Sequence, residues 1–374
     1  MAQAPGQLTP APAQGPASNA SAGDPARFAP AASTKAVRAV VGDTRSCPPP
    51  PSLRFAKHNG PPTSFPLTAA GRAALAKSDA VSPRLPTDHD VHVRAADLPP
   101  PTHPGDPKFW PELEQVVDLQ LARRRGGLAK DVVELPQLFA NYTMEQAAKA
   151  VGDDYPPDFP TALSKQFYAE GARVDTNLIP AYSTRDFVNG ILTVHAIIGW
   201  AVRAVSPSAF AAKWEVGRRR PEEIAWDIHT GKLDASPRIK RKIAALGMER
   251  AEDFTAYQEG CPRHPAWPAM HSAASISSTL LAVLMDLTPA QVEEARRLDF
   301  AVSTFRSVAG VHYYGDNAAG LAIGQAVLEK LLPEQIASYV PDADKDRVRA
   351  AVKKKLERYH YDWYEHTRKN GGPI

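Results

Sequence analysis

Cysteine is nearly absent: of 374 residues only Cys47 and Cys261 carry a thiol. Two such residues exclude a disulfide framework and leave a single bridge open. An excess of either charge is missing too. The formal net charge of +3 is too small to indicate a nucleic-acid binder. Runs such as Arg123-Arg124-Arg125 read as a solvated helix face or end. Long apolar runs are also lacking, for the longest, "GILTVHAIIGWAVRAV", is interrupted by His195 and Arg203 and is short for a membrane span. The opening residues hold neither the basic start nor the apolar core of a secretory signal. A soluble protein of the cytoplasm, without a membrane span, is therefore expected.

Proline is plentiful and uneven: most of the 36 prolines precede Lys108. Proline removes a backbone donor and fixes φ, so regular structure is hard to build over residues 1–107. That stretch reads as a loosely ordered extension. Over roughly residues 50–107 it reads as an arm laid on the domain or on a second subunit, with Phe55, Phe65 and Leu67 as anchors. Residues 108–374 form the second unit, and there the pattern turns helical. "WPELEQVVDLQLARRRGG" has Pro in its first turn and a glycine stop, and "TMEQAAKAVG" has a Thr cap. "STRDFVNGILTVHAIIGWAVRAV" is apolar nearly all round and hence central. A separate helix is expected to start at the Ser-Pro of "SPSAFAAKWEVGRRRP". "SAASISSTLLAVLMDL", "TPAQVEEARRLDFAVSTFRSVAG", "DNAAGLAIGQAVLEKLL" and a charged C-terminal segment follow. Alternating strand patterns and Asn-Gly hairpins do not occur. The expected fold is all-α, a helical bundle with a proline-rich N-terminal extension.

Three clusters carry chemistry. In "KWEVGRRRP", Lys213 and Arg220 are two helical turns apart and would share a face, an arrangement that repels unless an anion or carboxylate lies between them. A solvated basic face balanced by Glu222 and Glu223 explains the same pattern. In "CPRHPAWPAMHSAAS", Pro268 suits the first helical position, which would put Ala269, Met270 and His271 in a first turn with free N–H groups. Such a turn binds anions and a histidine there can move protons; a packed core histidine fits equally. In "FRSVAGVHYYGDNAAG", Arg306 ends one helical run, His312 opens the next and Asp316 lies one turn on. That carboxylate can hold one imidazole nitrogen and leave the other as nucleophile or ligand, although surface His–Asp pairs are common. Separately each bland reading wins. Together two arginines, a lysine and two histidines make a tetrahedral-oxyanion site, which needs one pocket instead of three coincidences.

In this order the clusters resemble the signature motifs of type-2 phosphatidic acid phosphatases and vanadium-dependent haloperoxidases. Lys213 to Pro221 matches the first motif (Lys, six residues, Arg-Pro) throughout. Arg306, His312 and Asp316 match the third, with Phe305 in place of its serine. The middle motif, Pro-Ser-Gly-His, is degraded here to Pro268-Ala269-Met270-His271. The resemblance covers about residues 180–330. "KWEVGRRRPEE" and "HPAWPAMHSAAS" look most like algal and bacterial haloperoxidases.

The resemblance implies a vanadate cofactor with His312 as its covalent ligand and Lys213, Arg220 and Arg306 on the equatorial oxygens. The Met270 amide would replace a glycine amide, His271 would be the acid–base, and Asp316 would support His312. Loss of the serine hydroxyl at Ala269 implies weaker vanadate affinity, by about 1.5–3 kcal/mol. Hydrogen peroxide would oxidise a halide, and the product would halogenate a small organic acceptor. His264 stands where bromide-oxidising members have histidine and the chloride-oxidising type has phenylalanine, which favours bromide or iodide. Phe210, Trp214 and Trp267 could line the pocket, though such aromatics are more often core. A homo-oligomer, dimer or larger, is also implied. Two alternatives remain: a soluble phosphomonoesterase acting through phosphorylated His312, and a non-catalytic oxyanion-binding homologue.

Overall fold

A computed structural model describes residues 90–153, 158–178, 187–258, 260–262 and 264–373. Cys47, the anchors Phe55, Phe65 and Leu67, and the start of "STRDF" lie outside the described residues. The fold is all-α. The helices are α1 (Phe109–Arg124), α2 (Met144–Asp153), α3 (Asp158–Ala169), α4 (Phe187–Val216), α5 (Pro221–His229) and α6 (Pro237–Ala244). They continue with α7 (Met270–Ala274), α8 (Ser277–Leu284), α9 (Pro289–Val308), α10 (Tyr314–Ala337), α11 (Lys345–Tyr359) and α12 (Trp363–Lys369). Among the described residues the only β pairing is two isolated bridges, Leu128 with Thr143 and Val174 with Met285.

Helix α10 is the axis, packed against α4, α7, α9, α11 and α12. Its small residues allow the closest approach. A Cβ at Gly320 would lie 2.7 Å from Ser272 Cβ and nearer still to the Ala269 carbonyl of α7's N-cap, and Gly324 meets Ala273 and Ile276 in the same way. Only the missing side chains let α7 lie flat on α10. Gly320→Ala is therefore expected to destabilise the protein by about 3 kcal/mol, the upper end for overpacking. A chemical denaturation curve close to wild type would contradict that packing.

The core has two parts. The larger runs through α2, α3, α4 and α7–α12. A smaller one packs Phe109, Leu113, Val116 and Val117 of α1 on Ile224 and Ile228 of α5 and Ile239 and Ile243 of α6, with Tyr313 among them.

Four local readings change. The break expected at Ser206-Pro207 does not occur, and α4 runs 30 residues with Pro207 inside it. An interior proline costs about 3 kcal/mol, but Val202, Val205, Ala209 and Ala212 are buried on both sides of it, each such valine contributing about 1.5–3 kcal/mol. "SAASISSTLLAVLMDL" splits into α7 and α8 because the buried Asp299 caps α8, accepting from Ser277 N (2.6 Å) and Ser278 N (3.0 Å). The C-terminal segment splits at His360–Asp362, where Gln325 of α10 bonds both the amide and the carbonyl of Tyr361 at 3.0 Å. Arg123 is buried, not solvated, and pairs with Glu145 and Gln120; Arg124 donates to the carbonyls of Leu246 and Asp253. Within the N-terminal stretch, Val93 and Ala95 are buried, and the amides of His92 and Val93 donate to Ser208 Oγ of α4.

Candidate active site

Three chain segments meet at the site. The first is the turn after α4. The Gly217 amide closes the helix on the Lys213 carbonyl, and Gly217 adopts φ 65°, a left-handed conformation that favours glycine. Residues 218–220 then lie outside any helix, and Arg220, with extended backbone, is the N-cap of α5 with Pro221 at N1. Lys213 and Arg220 therefore do not share one helix face, as the spacing suggested. They converge because the chain turns between them.

The second segment, His264–Ala266, lies alongside. Its Ala266 amide donates to the Arg218 carbonyl at 2.8 Å. Lys213 Nζ donates to the carbonyls of Pro265 (2.9 Å) and Ala266 (3.0 Å). Arg220 Nε donates to the His264 carbonyl at 3.0 Å, and its NH2 group meets His264 Nδ1 at 3.0 Å. The third segment follows α9. Gly310, at φ 81°, turns the chain, and Arg220 NH1 donates to the Val311 carbonyl (2.7 Å) and contacts His312 Nε2 (3.1 Å).

His312 precedes α10 and is not part of it. Tyr313 is the N-cap, and Asp316, the third helical residue, reaches back. Its Oδ2 accepts from the Tyr313 amide (2.9 Å) and lies 3.2 Å from His312 Nδ1. The expected His–Asp pair is present, but through helix capping and not through a shared helix face. With Nδ1 as the donor to Asp316, Nε2 carries the lone pair, and it is this atom that Arg220 contacts. Burial first, then the charges of Arg220, Lys213 and Arg306, hold the His312 pKa well below 6.5. A buried neutral imidazole thus sits inside a shell of cations.

Arg306, on the last turn of α9, is 3% exposed. Its NH1 donates to Tyr257 Oη at 2.7 Å, whereas its buried Nε has no acceptor among the described residues. A buried guanidinium with an open donor, beside two further cations, suits an anion with several oxygens. Among the described residues no three His, Cys, Asp or Glu side chains converge to hold a bare cation. The donor set therefore fits an oxyanion such as vanadate or phosphate.

His271 is buried in α7, which is five residues long and has Ala269, not Pro268, near its start as N-cap. So short a helix carries little of the dipole that an anion-binding first turn needs. Its position is set otherwise: the Ala269 amide donates to the Asp316 carbonyl at 2.8 Å, which ties the His271 turn to that of His312. Met270 is buried in the larger core, and so is Trp267. Phe210 stands edge-on to His264 with ring centroids 5.1 Å apart, and Trp214 is half-buried beside Lys213. The motif serine replaced by Phe305 is not recovered by Ser307, whose hydroxyl accepts from Asn317 Nδ2.

Sequence reasoning missed several groups. Tyr257 holds Arg306, and Asn317 links Ser307 with Ser272 of α7. Arg218 binds Asp316 Oδ1 at 2.6 Å and Glu112 Oε2 at 2.7 Å. Arg218 opens an Arg-Arg-Arg run, a sequence signal of charge, but nothing in the run distinguishes its buried members, Arg218 and Arg220, from Arg219, which pairs with Asp227 nearer the surface.

No protein-family model matches the chain. A vanadium-dependent bromoperoxidase of Ascophyllum nodosum is 24% identical over 204 residues, which cover 42% of this chain and 36% of the relative. The chain thus spans little over a third of that curated relative's length. The helical fold and this similarity together amount to a distant, haloperoxidase-like relationship.

Proposed function

We propose that the chain is a vanadate-dependent haloperoxidase, oxidising bromide or iodide with hydrogen peroxide to a hypohalous species that halogenates a small organic acceptor. The observation that carries this reading is neutral His312, steadied by Asp316 and surrounded by Lys213, Arg220 and Arg306. His312 Nε2 would hold the oxyanion, at the place where Arg220 NH1 now makes its contact. Arg220, Lys213 and the open Nε of Arg306 would donate to its remaining oxygens. Bound there, vanadate supplies a fully oxidised Lewis acid that activates peroxide toward halide. His271 would carry protons to and from the reacting oxygens. His264 supports the halide preference: its imidazole lies against Arg220 and Phe210, a polar and cationic surrounding for a large halide.

The test is bromination of monochlorodimedone by the purified protein with peroxide and bromide, with and without orthovanadate. Bromination that depends on vanadate is expected. If bromide and iodide both fail while a phosphate monoester is hydrolysed, the same oxyanion site serves a phosphomonoesterase. Binding of vanadate without turnover would make the protein a non-catalytic homologue.

A further inference from the structure

The site includes a second layer, the buried Arg218 and Glu112 with the half-buried Thr102, that is not among the fixed positions of the three motifs. Arg218 is 2% exposed and spans two carboxylates. Its NH1 donates to Asp316 Oδ1 at 2.6 Å and its NH2 to Glu112 Oε2 at 2.7 Å. Thr102, from the segment before α1, accepts from NH2 on its hydroxyl (2.7 Å) and from Nε on its carbonyl (3.1 Å), and its hydroxyl donates to Glu112 Oε2 at 2.6 Å. Glu112 Oε1 accepts the Gly315 amide at 2.8 Å, one residue before Asp316. The Arg218 guanidinium also stacks on the Tyr313 ring, 4.0 Å from its centroid. All three nitrogens of the guanidinium are thus engaged, and the Asp316 carboxylate can rotate only by breaking a charge-assisted bond.

Asp316 uses its other oxygen on His312 Nδ1. From this geometry, and building on the proposal that His312 holds the oxyanion, we infer that Arg218 is a positioning residue for His312. It clamps Asp316 so that the imidazole keeps its proton on Nδ1 and aims Nε2 at the oxyanion. Thr102 and Glu112 complete the clamp, which makes the segment before α1 and α1 itself part of the site's construction. Outer partners of this kind typically change ligand affinity by about 10–100-fold.

Arg218→Met alone would leave Glu112 and Asp316 buried together without a counter-charge, and such a protein can fail to fold. Arg218→Met/Glu112→Gln removes one charge of each sign and keeps the balance. The readouts are 15N shifts of His312 in ligand-free, histidine-labelled protein, assigned by difference from His312→Gln, and the affinity for inorganic phosphate and orthovanadate by calorimetry. Wild type should show one tautomer, protonated at Nδ1. The double variant should show a mixture of tautomers and bind either anion about 10-fold more weakly; a melting curve run alongside checks the fold. Unchanged His312 shifts and unchanged affinity in the folded double variant would overturn the inference and leave Arg218 a charge-balancing residue. If that variant does not fold, Arg218→Lys decides: its single ammonium cannot span both carboxylates in fork geometry, so the tautomer should again be mixed, and an unaltered His312 overturns the inference. The tautomer needs no bound anion, so a wild type that binds neither oxyanion removes the oxyanion reading while the His312 shifts still judge Arg218.

Discussion

His312→Ala is expected to abolish vanadate binding and to bring vanadate-dependent halogenation down to the rate of free vanadate. In the proposed site His312 Nε2 would supply the lone pair that holds the oxyanion, whereas Arg220, Lys213 and Arg306 would only donate to its oxygens. The fold should survive the change. Asp316 retains Arg218 at 2.6 Å and the Tyr313 amide at 2.9 Å, so no buried carboxylate loses its counter-charge. Calorimetry with orthovanadate reads the loss directly, and a melting curve run alongside checks the fold. Retained turnover would remove the site assignment. Because burial and three cations hold His312 neutral at pH 6.5, wild-type His312 should also show no protonation at that pH, where half of free imidazole groups are charged.

His271→Ala should divide binding from chemistry. The side chain is buried in α7, which the Ala269 amide ties to the Asp316 carbonyl of the His312 turn. General acid–base transfer by a positioned histidine contributes roughly 10²–10⁴-fold. Turnover should fall by that factor while orthovanadate affinity changes much less. Equal losses in both would make His271 a binding group and leave proton transfer to another residue. Removing an imidazole from a buried five-residue helix also leaves a cavity, so the comparison belongs with His271→Gln, which keeps most of the volume.

Much of the fold was legible. Helix type followed from apolar periodicity and punctuation: Thr143, read as the cap of "TMEQAAKAVG", accepts from the Gln146 amide at the start of α2. The errors share a cause. Pro207 inside α4, the Asp299 cap that divides α7 from α8, and the Gln325 clamp on Tyr361 all depend on partners distant in sequence. Local propensity amounts to a few kcal/mol, which burial or one buried cap overrides.

The candidate site divides along the same line. Residue types and spacing by themselves pointed to Lys213, Arg220, His271, Arg306, His312 and Asp316 as one proposed set, since that combination of cations, imidazoles and a carboxylate suits an oxyanion. They also determined an all-α chain, since strand signals are lacking throughout. Only the tertiary structure decided how the set is held. The turn at Gly217 brings Arg220 back to Lys213, helix capping joins Asp316 to His312, and Arg218 with Glu112 and Thr102 fixes that carboxylate. The physical reason is that a charge declares itself in sequence, whereas its burial and its partner are properties of the packed chain: three adjacent arginines read alike until two of them are enclosed and the third is left nearer to water.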